Sequence, residues 1–103
     1  MNQNTIDTTF TFRNMEATDA LRDHTSDKLL RLNKYLQKPA AAHCIFKIEG
    51  PRHVAEISLS VKGGKYIGIG TSTDMYTSVD SAVDKIGKQM SRDKERVKGH
   101  KGE

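Results

Sequence analysis

Residues 5–36 read TIDTTFTFRNMEATDALRDHTSDKLLRLNKYL, and the hydrophobic period changes inside them. Ile6, Thr8, Phe10 and Phe12 alternate with Asp7, Thr9 and Thr11, the two-residue period of a half-buried strand. After Thr18 the step becomes three and four: Leu21, Thr25, Leu29, Leu32 and Leu36 make one helical stripe, flanked by Tyr35. Thr18 suits the N-cap, Asp19 places a negative charge where the helix dipole favours it, and Pro39 stops the helix soon after Leu36. A strand followed by an amphipathic helix commits the chain to a sheet covered by helix.

Working outward, 39-PAAA-42 reads as a small-residue linker, and Cys44, Phe46 and Ile48 then share one face of a second strand. A turn at Gly50 to Arg52 leads into a third strand, with Ala55, Ile57, Leu59 and Val61 inward. Gly63-Gly64 predicts a type I′ hairpin with two positive-φ residues. In the fourth strand Tyr66, Gly68 and Gly70 alternate with Ile67 and Ile69, and we expect the glycine face to lie against the helices, where missing side chains permit close approach. A second helix begins near Ser72 or Thr73, with Met75, Val79, Val83, Ile86 and Met90 as its stripe, assisted by Tyr76 and Ala82. The expected fold class is α+β: a single β-α-β-β-β-α domain over residues 1–98, two helices on one face of a four-stranded sheet, then a frayed tail at 99–103.

At 103 residues and 35% hydrophobic content the chain supports one modest core. The single cysteine, Cys44, excludes an internal disulfide and suits a reducing compartment. No apolar run approaches the roughly 20 residues that span a bilayer, and the N-terminus lacks the features of a signal peptide. A soluble cytoplasmic domain, with no membrane partner, is expected.

Charge is unevenly distributed. Residues 1–84 hold ten Lys and Arg against ten Asp and Glu, so the net charge of +4 sits entirely in residues 85–103. On a helical wheel Lys85, Lys88, Arg92 and Arg96 form a basic ridge opposite the buried stripe, about 16 Å long at 1.5 Å per residue. Arg31, Lys34 and Lys38 flank the first helix, and the two basic flanks are expected to border a shared groove. The helix dipole uses cations only in the last turn, so the excess points to a phosphate partner. Zinc-finger spacing and a helix-turn-helix are lacking and aromatics are few, which favours shape and phosphate recognition of structured RNA over DNA reading or base stacking.

Catalytic chemistry is thin. His43 and Cys44 are strand neighbours on opposite faces, which defeats a shared metal site, and Cys44 reads as core. His24, His53 and His100 read as surface residues, Asp74 as dipole-favoured or capping, and Asp80 and Asp84 as solvated. Gly63-Gly64 lacks the remainder of a phosphate loop. No catalytic residue, metal, cofactor or small-molecule substrate is expected.

Three segments, FRNMEATDALRDHTSDKLLRLNKYL, VKGG and TDMYTSVDSAVDKIGKQMSRDKERVK, resemble the bacterial ribosome hibernation promoting factor and ribosome-associated inhibitor family, from about Ile6 to Lys98. The most specific piece is Asp74-Met75-Tyr76 followed by Asp80, Asp84-Lys85 and Gln89. The resemblance implies the same β-α-β-β-β-α order, a site on the small ribosomal subunit in the mRNA and tRNA channel, and translational silencing in starvation and stationary phase. It also implies rRNA contacts, on 16S rRNA, at Arg22, Lys28, Arg31, Lys85, Lys88, Arg92 and Lys94; Arg96 and Lys98 rest on charge alone. The chain looks like a short member, a type that pairs ribosomes with the help of a separate ribosome modulation factor. Two other readings stand beside it: a stand-alone structured-RNA-binding module, and a protein-interaction regulator of the sigma-factor modulator kind.

Overall fold

The elements follow one another as β1 (Ile6–Arg13), α1 (Asp19–Leu30), a 3-10 turn (Arg31–Tyr35), β2 (Ala40–Glu49), β3 (Arg52–Val61), β4 (Gly64–Ser72) and α2 (Met75–Lys101). This computed structural model describes residues 4–101, with side chains described through residue 94. The four strands make one sheet in the order β1-β2-β3-β4. β1 pairs with β2 in parallel, from Ile6 opposite Ala40 to Arg13 opposite Lys47, and the other two pairings are antiparallel. The expected element order and α+β class are therefore the observed ones.

Strand alternation sorts the side chains into two faces. Ala42, Cys44 and Phe46 of β2 and Ala55, Ile57 and Leu59 of β3 are buried with Leu21, Leu29 and Leu32 and with the α2 stripe of Met75, Val79, Ala82, Val83, Ile86 and Met90. Phe46 anchors the β1 side, its ring centroid 5.0 Å from Phe12 and 6.0 Å from Phe10. Each of the large apolar side chains removed from water contributes about 1.5–3 kcal/mol to holding the two layers together. Thr25, buried within the α1 stripe, donates its hydroxyl to the Leu21 carbonyl at 2.8 Å, so its burial leaves no orphan.

The glycine face of β4 does lie against α2, as expected. A Cβ at Gly68 would collide with the Ala82 carbonyl, and one at Gly70 with the Ser78 carbonyl. Ile67 and Ile69 consequently face the open side, 51% and 46% exposed.

Four local expectations are corrected. The first helix winds tighter after Leu30 instead of continuing to Leu36. There Asn33 holds the backbone of Asn4 from both sides, accepting from its N–H at 2.8 Å and donating to its carbonyl at 2.7 Å. Residues 40–42 are strand, not linker, because parallel pairing with β1 starts at Ala40 and the small side chains of Ala40 and Ala42 are buried. The β3–β4 turn places Lys62 and Gly63 between the paired Val61 and Gly64. Gly63 has φ +89 while neither Lys62 nor Gly64 has positive φ, which excludes type I′ and matches the φ pattern of a type II turn. Tyr76 is exposed and packs its ring edge-on against His24, 5.0 Å between centroids, instead of joining the core.

The β4 contact gives a graded prediction. Gly70→Ala should destabilise by about 1–3 kcal/mol, because backbone must move to admit the methyl group. Gly64→Ala, which meets nothing within 4 Å at an ordinary φ, should leave thermal and urea melts almost unchanged. Equal melting shifts for the two variants would remove backbone contact as the constraint on β4.

Candidate nucleic-acid interface

Each helix starts on a side-chain cap. Thr18 Oγ1 accepts from the Leu21 N–H at 3.2 Å, and Asp74 Oδ2 accepts from the Thr77 N–H at 3.0 Å and the Thr77 hydroxyl at 2.9 Å. These bonds, the backbone one first, hold the Asp74 carboxyl below its ordinary range. The helices are then joined across their gap. His24 Nε2 lies 2.8 Å from Asp80 Oδ1, and Lys28 Nζ approaches the same oxygen at 3.6 Å. Asp80, expected to be solvated, is still about half exposed but also holds these two partners, and His24, expected at the surface, is largely covered, since wheel position cannot show a partner on another helix.

Below this clasp runs a groove of about 720 Å³ between α1 with its 3-10 turn and α2. Arg31, Lys34 and Tyr35 line one wall, while Ser81, Asp84, Gly87, Lys88 and Ser91 line the other. The groove is polarised: Asp80 and Asp84 stand toward the α2 N-terminus, while Lys88 lies one helical turn beyond Asp84, opposite Arg31 and Lys34. Lys88 Nζ is 3.6 Å from Asp84 Oδ2 in an i,i+4 pair, but both side chains are about two-thirds exposed, so water competes with that pair strongly.

The expected contact residues divide. Lys28, Arg31 and Lys88 meet at the groove. Lys34, named from charge pattern but absent from the family-based set, joins them, whereas Lys38 lines a separate cleft with Tyr66 and Met90. Arg22 pairs with Asp19 at 2.9 Å and stacks over Phe12 at 5.3 Å, away from the groove. Lys85 leans the other way over α2 and donates to the Ile69 carbonyl at 2.6 Å. Arg92 and Lys94 are exposed on α2. The side chains of Arg96 and Lys98 lie outside the described residues, as do residues 102 and 103 of the stretch read as a tail.

Elsewhere, burial pushes the Cys44 thiol up to about 12, so it stays protonated at neutral pH and makes a poor nucleophile. His43 stands on the open face beside Thr9 and Thr11, opposite in direction to Cys44. His53, read as surface, is half-buried, and its Nδ1 is buried without a hydrogen-bond partner. Among the described residues no three His, Cys, Asp or Glu side chains gather into a metal-binding group, and no helix is long and apolar enough to cross a membrane.

The family model described as "Sigma 54 modulation protein / S30EA ribosomal protein" matches residues 8–98. The chain belongs to this family. Among its relatives is the ribosome hibernation promoting factor of Salmonella typhimurium, 31% identical over 90 residues that cover 87% of this chain and 95% of that protein. The Pseudomonas putida protein of the same name is 30% identical over 84 residues, 82% of each chain. Among solved structures, the Protein Y N-terminal domain of Thermus thermophilus superposes with a TM-score of 0.78 at 33% identity, covering 85% of this chain and 97% of that one. A ribosomal subunit interface protein from Coxiella burnetii gives 0.75 at 25% identity, with the same coverage.

Two properties of this family member can be checked in solution. Asp74 has a lowered folded pKa, so its stabilising contribution is complete above the ordinary carboxylate range and is lost as pH falls through the folded value. The Tm gap between wild type and Asp74→Asn should therefore be largest near neutral pH and should close on acidification; a gap that stays constant to pH 3 would show that the charge of the cap is irrelevant. Cys44 should resist thiol reagents at pH 8 until the protein unfolds. Rapid labelling of the folded chain would contradict its place in the core.

Proposed function

We propose that this protein is a ribosome hibernation factor, which holds the small ribosomal subunit through 16S rRNA phosphates and fills space needed by mRNA and tRNA. Translation is then silenced by occlusion, without covalent chemistry, in the cytoplasm where ribosomes work. The observation that supports this best is the groove, where Arg31, Lys34 and Lys88 converge within a domain whose relatives carry the name ribosome hibernation promoting factor. Three cations on two fixed helices can meet successive phosphates of one RNA strand, releasing counterions as they do. Arg92 and Lys94 extend the same helix and would add to the field that draws RNA in.

Internal pairing ranks the contacts. Lys28 already serves Asp80 and Lys85 already serves the Ile69 carbonyl, so each has a partner to give up before meeting a phosphate. Arg22 lies away from the groove, stacked over Phe12, and its pair with the exposed Asp19 is as open to water as that of Lys88. Arg31, Lys34 and Lys88 line the groove itself, with only the Tyr35 ring at 5.4 Å from Lys34 and the solvent-screened Asp84 beside Lys88, and should carry most of the binding.

Changing Arg31, Lys34 and Lys88 together to Gln should weaken co-sedimentation with purified small subunits by more than about tenfold, and should flatten the salt dependence by somewhat under one logarithmic unit per lost contact. Melts should barely change, because exposed substitutions usually stay within about 0.5 kcal/mol each. Chelator should leave binding intact. Equal affinity and equal salt slope in the triple variant would end the groove's assignment. Comparable binding to a free RNA duplex would favour the stand-alone RNA module, and failure to bind either partner would leave the protein-interaction reading.

A further inference from the structure

β4 is the last strand of the sheet, and its outer side offers backbone groups to whatever lies beyond. Carbonyls two residues apart point the same way along a strand. Those of Ile67 and Ile69 are met from α2, by Gln89 Nε2 at 2.8 Å and by Lys85 Nζ at 2.6 Å. The edge is thus closed by two flexible side chains instead of by another strand.

What borders this edge differs on its two sides. Toward the helices β4 carries Gly68 and Gly70, so the ground above this part of the edge belongs to Lys85 and Gln89, while one turn further along α2 Asp93 is engaged by the Tyr66 hydroxyl at 2.7 Å. Toward the open face stand Ile67 and Ile69, about half exposed, in cross-strand rows with Ser58 and His43 and with Glu56 and Ile45.

We propose that the free edge of β4 is a docking site for an extended segment of a partner protein in which acidic and apolar residues alternate. A strand added here sends successive side chains to opposite faces. Its acidic residues would meet Lys85 on the helix side, and its apolar residues would cover Ile67 and Ile69 on the open side. The incoming N–H groups take over the Ile67 and Ile69 carbonyls, and the displaced Lys85 ammonium passes to a carboxylate of the segment. Lys85 exchanges one acceptor for another, while a segment without acidic residues leaves it only water as its acceptor.

Edge strands are commonly guarded by charge against indiscriminate pairing; here the guard also selects. A second copy of this chain fits poorly, because pairing β4 with β4 would bring a second α2 with its own Lys85 beside the first. The site lies on the opposite flank of α2 from the groove and shares only Lys85 with the expected rRNA contacts, so it stands whether or not the groove holds rRNA.

The test uses the full chain, labelled with nitrogen-15, and two synthetic blocked hexapeptides, one alternating Glu and Val and the other Lys and Val. The Glu-Val peptide should shift the amides of residues 65–71 saturably, and the Lys-Val peptide should not. Lys85→Gln should weaken the Glu-Val complex by about fivefold, the scale of one exposed ion pair. Gln89→Ala, which removes a cap without removing charge, should strengthen it, and Ile69→Asp should abolish it. The proposal fails if neither peptide binds or if both bind alike. It also fails if the shifts fall on Lys34 and Lys88 in the groove, or if β4 amides become protected with rising protein concentration in the absence of peptide, since a second copy would then own the edge.

Discussion

The close approach of α2 to β4 governs most of this molecule. Two glycines, Gly68 and Gly70, let the helix backbone at Ser78 and Ala82 come down onto the strand, where any side chain would hold it away. Because cores are packed near solid density, that height is transmitted to neighbours. It sets where Val79, Val83 and Ile86 meet Leu29, Leu32 and the β3 residues, and so how far apart α1 and α2 stand. It also brings Lys85 and Gln89 within reach of the β4 carbonyls. The groove on one flank of α2 and the closed edge on its other flank follow from one backbone contact.

Electrostatics then divides the cations by what already holds them. Lys28 is held by Asp80, which also bonds His24, and Lys47 by Glu56 at 2.8 Å across the open face. Partners of this kind stiffen the domain and spend the charge locally. Arg31 and Lys34, and Lys88 with its solvent-screened partner, retain more of theirs for an outside anion. A rigid frame with exposed cations fixed on it suits a binding mode based on shape, because it loses little conformational freedom on association.

Much of the architecture was legible because period and punctuation carry it. The two-residue step of β1, the stripe from Leu21 to Leu32 and the stripe from Met75 to Met90 each reappear as buried sets. The glycine face of β4 was readable too, since alternation left two choices and sterics chose between them. What escaped was long-range. Asn33 looked like one more helix residue until Asn4 met it, and Ala40 looked like linker until Ile6 lay beside it. The groove was foreseeable in outline from two basic flanks, and Lys34 was visible in that charge pattern. Nothing local marked Asp80 as a clasp or sent Lys85 to the far side of α2, because each needs a partner on another element.

The parallel pairing of β1 with β2 carries a consequence for how the chain acquires its structure. β2, β3 and β4 form a meander closed by short turns, so their contacts are local and cheap in loop entropy. β1 has a single partner, reached across α1 and the 3-10 turn, and Phe10 and Phe12 find their packing against Phe46 only when β2 is in place. β1, the first strand of this domain in chain order, is therefore expected to be among the last incorporated. Transition-state analysis should place β1 late, with low φ-values at Phe10 and Phe12 against higher ones at Ile57 and Leu59.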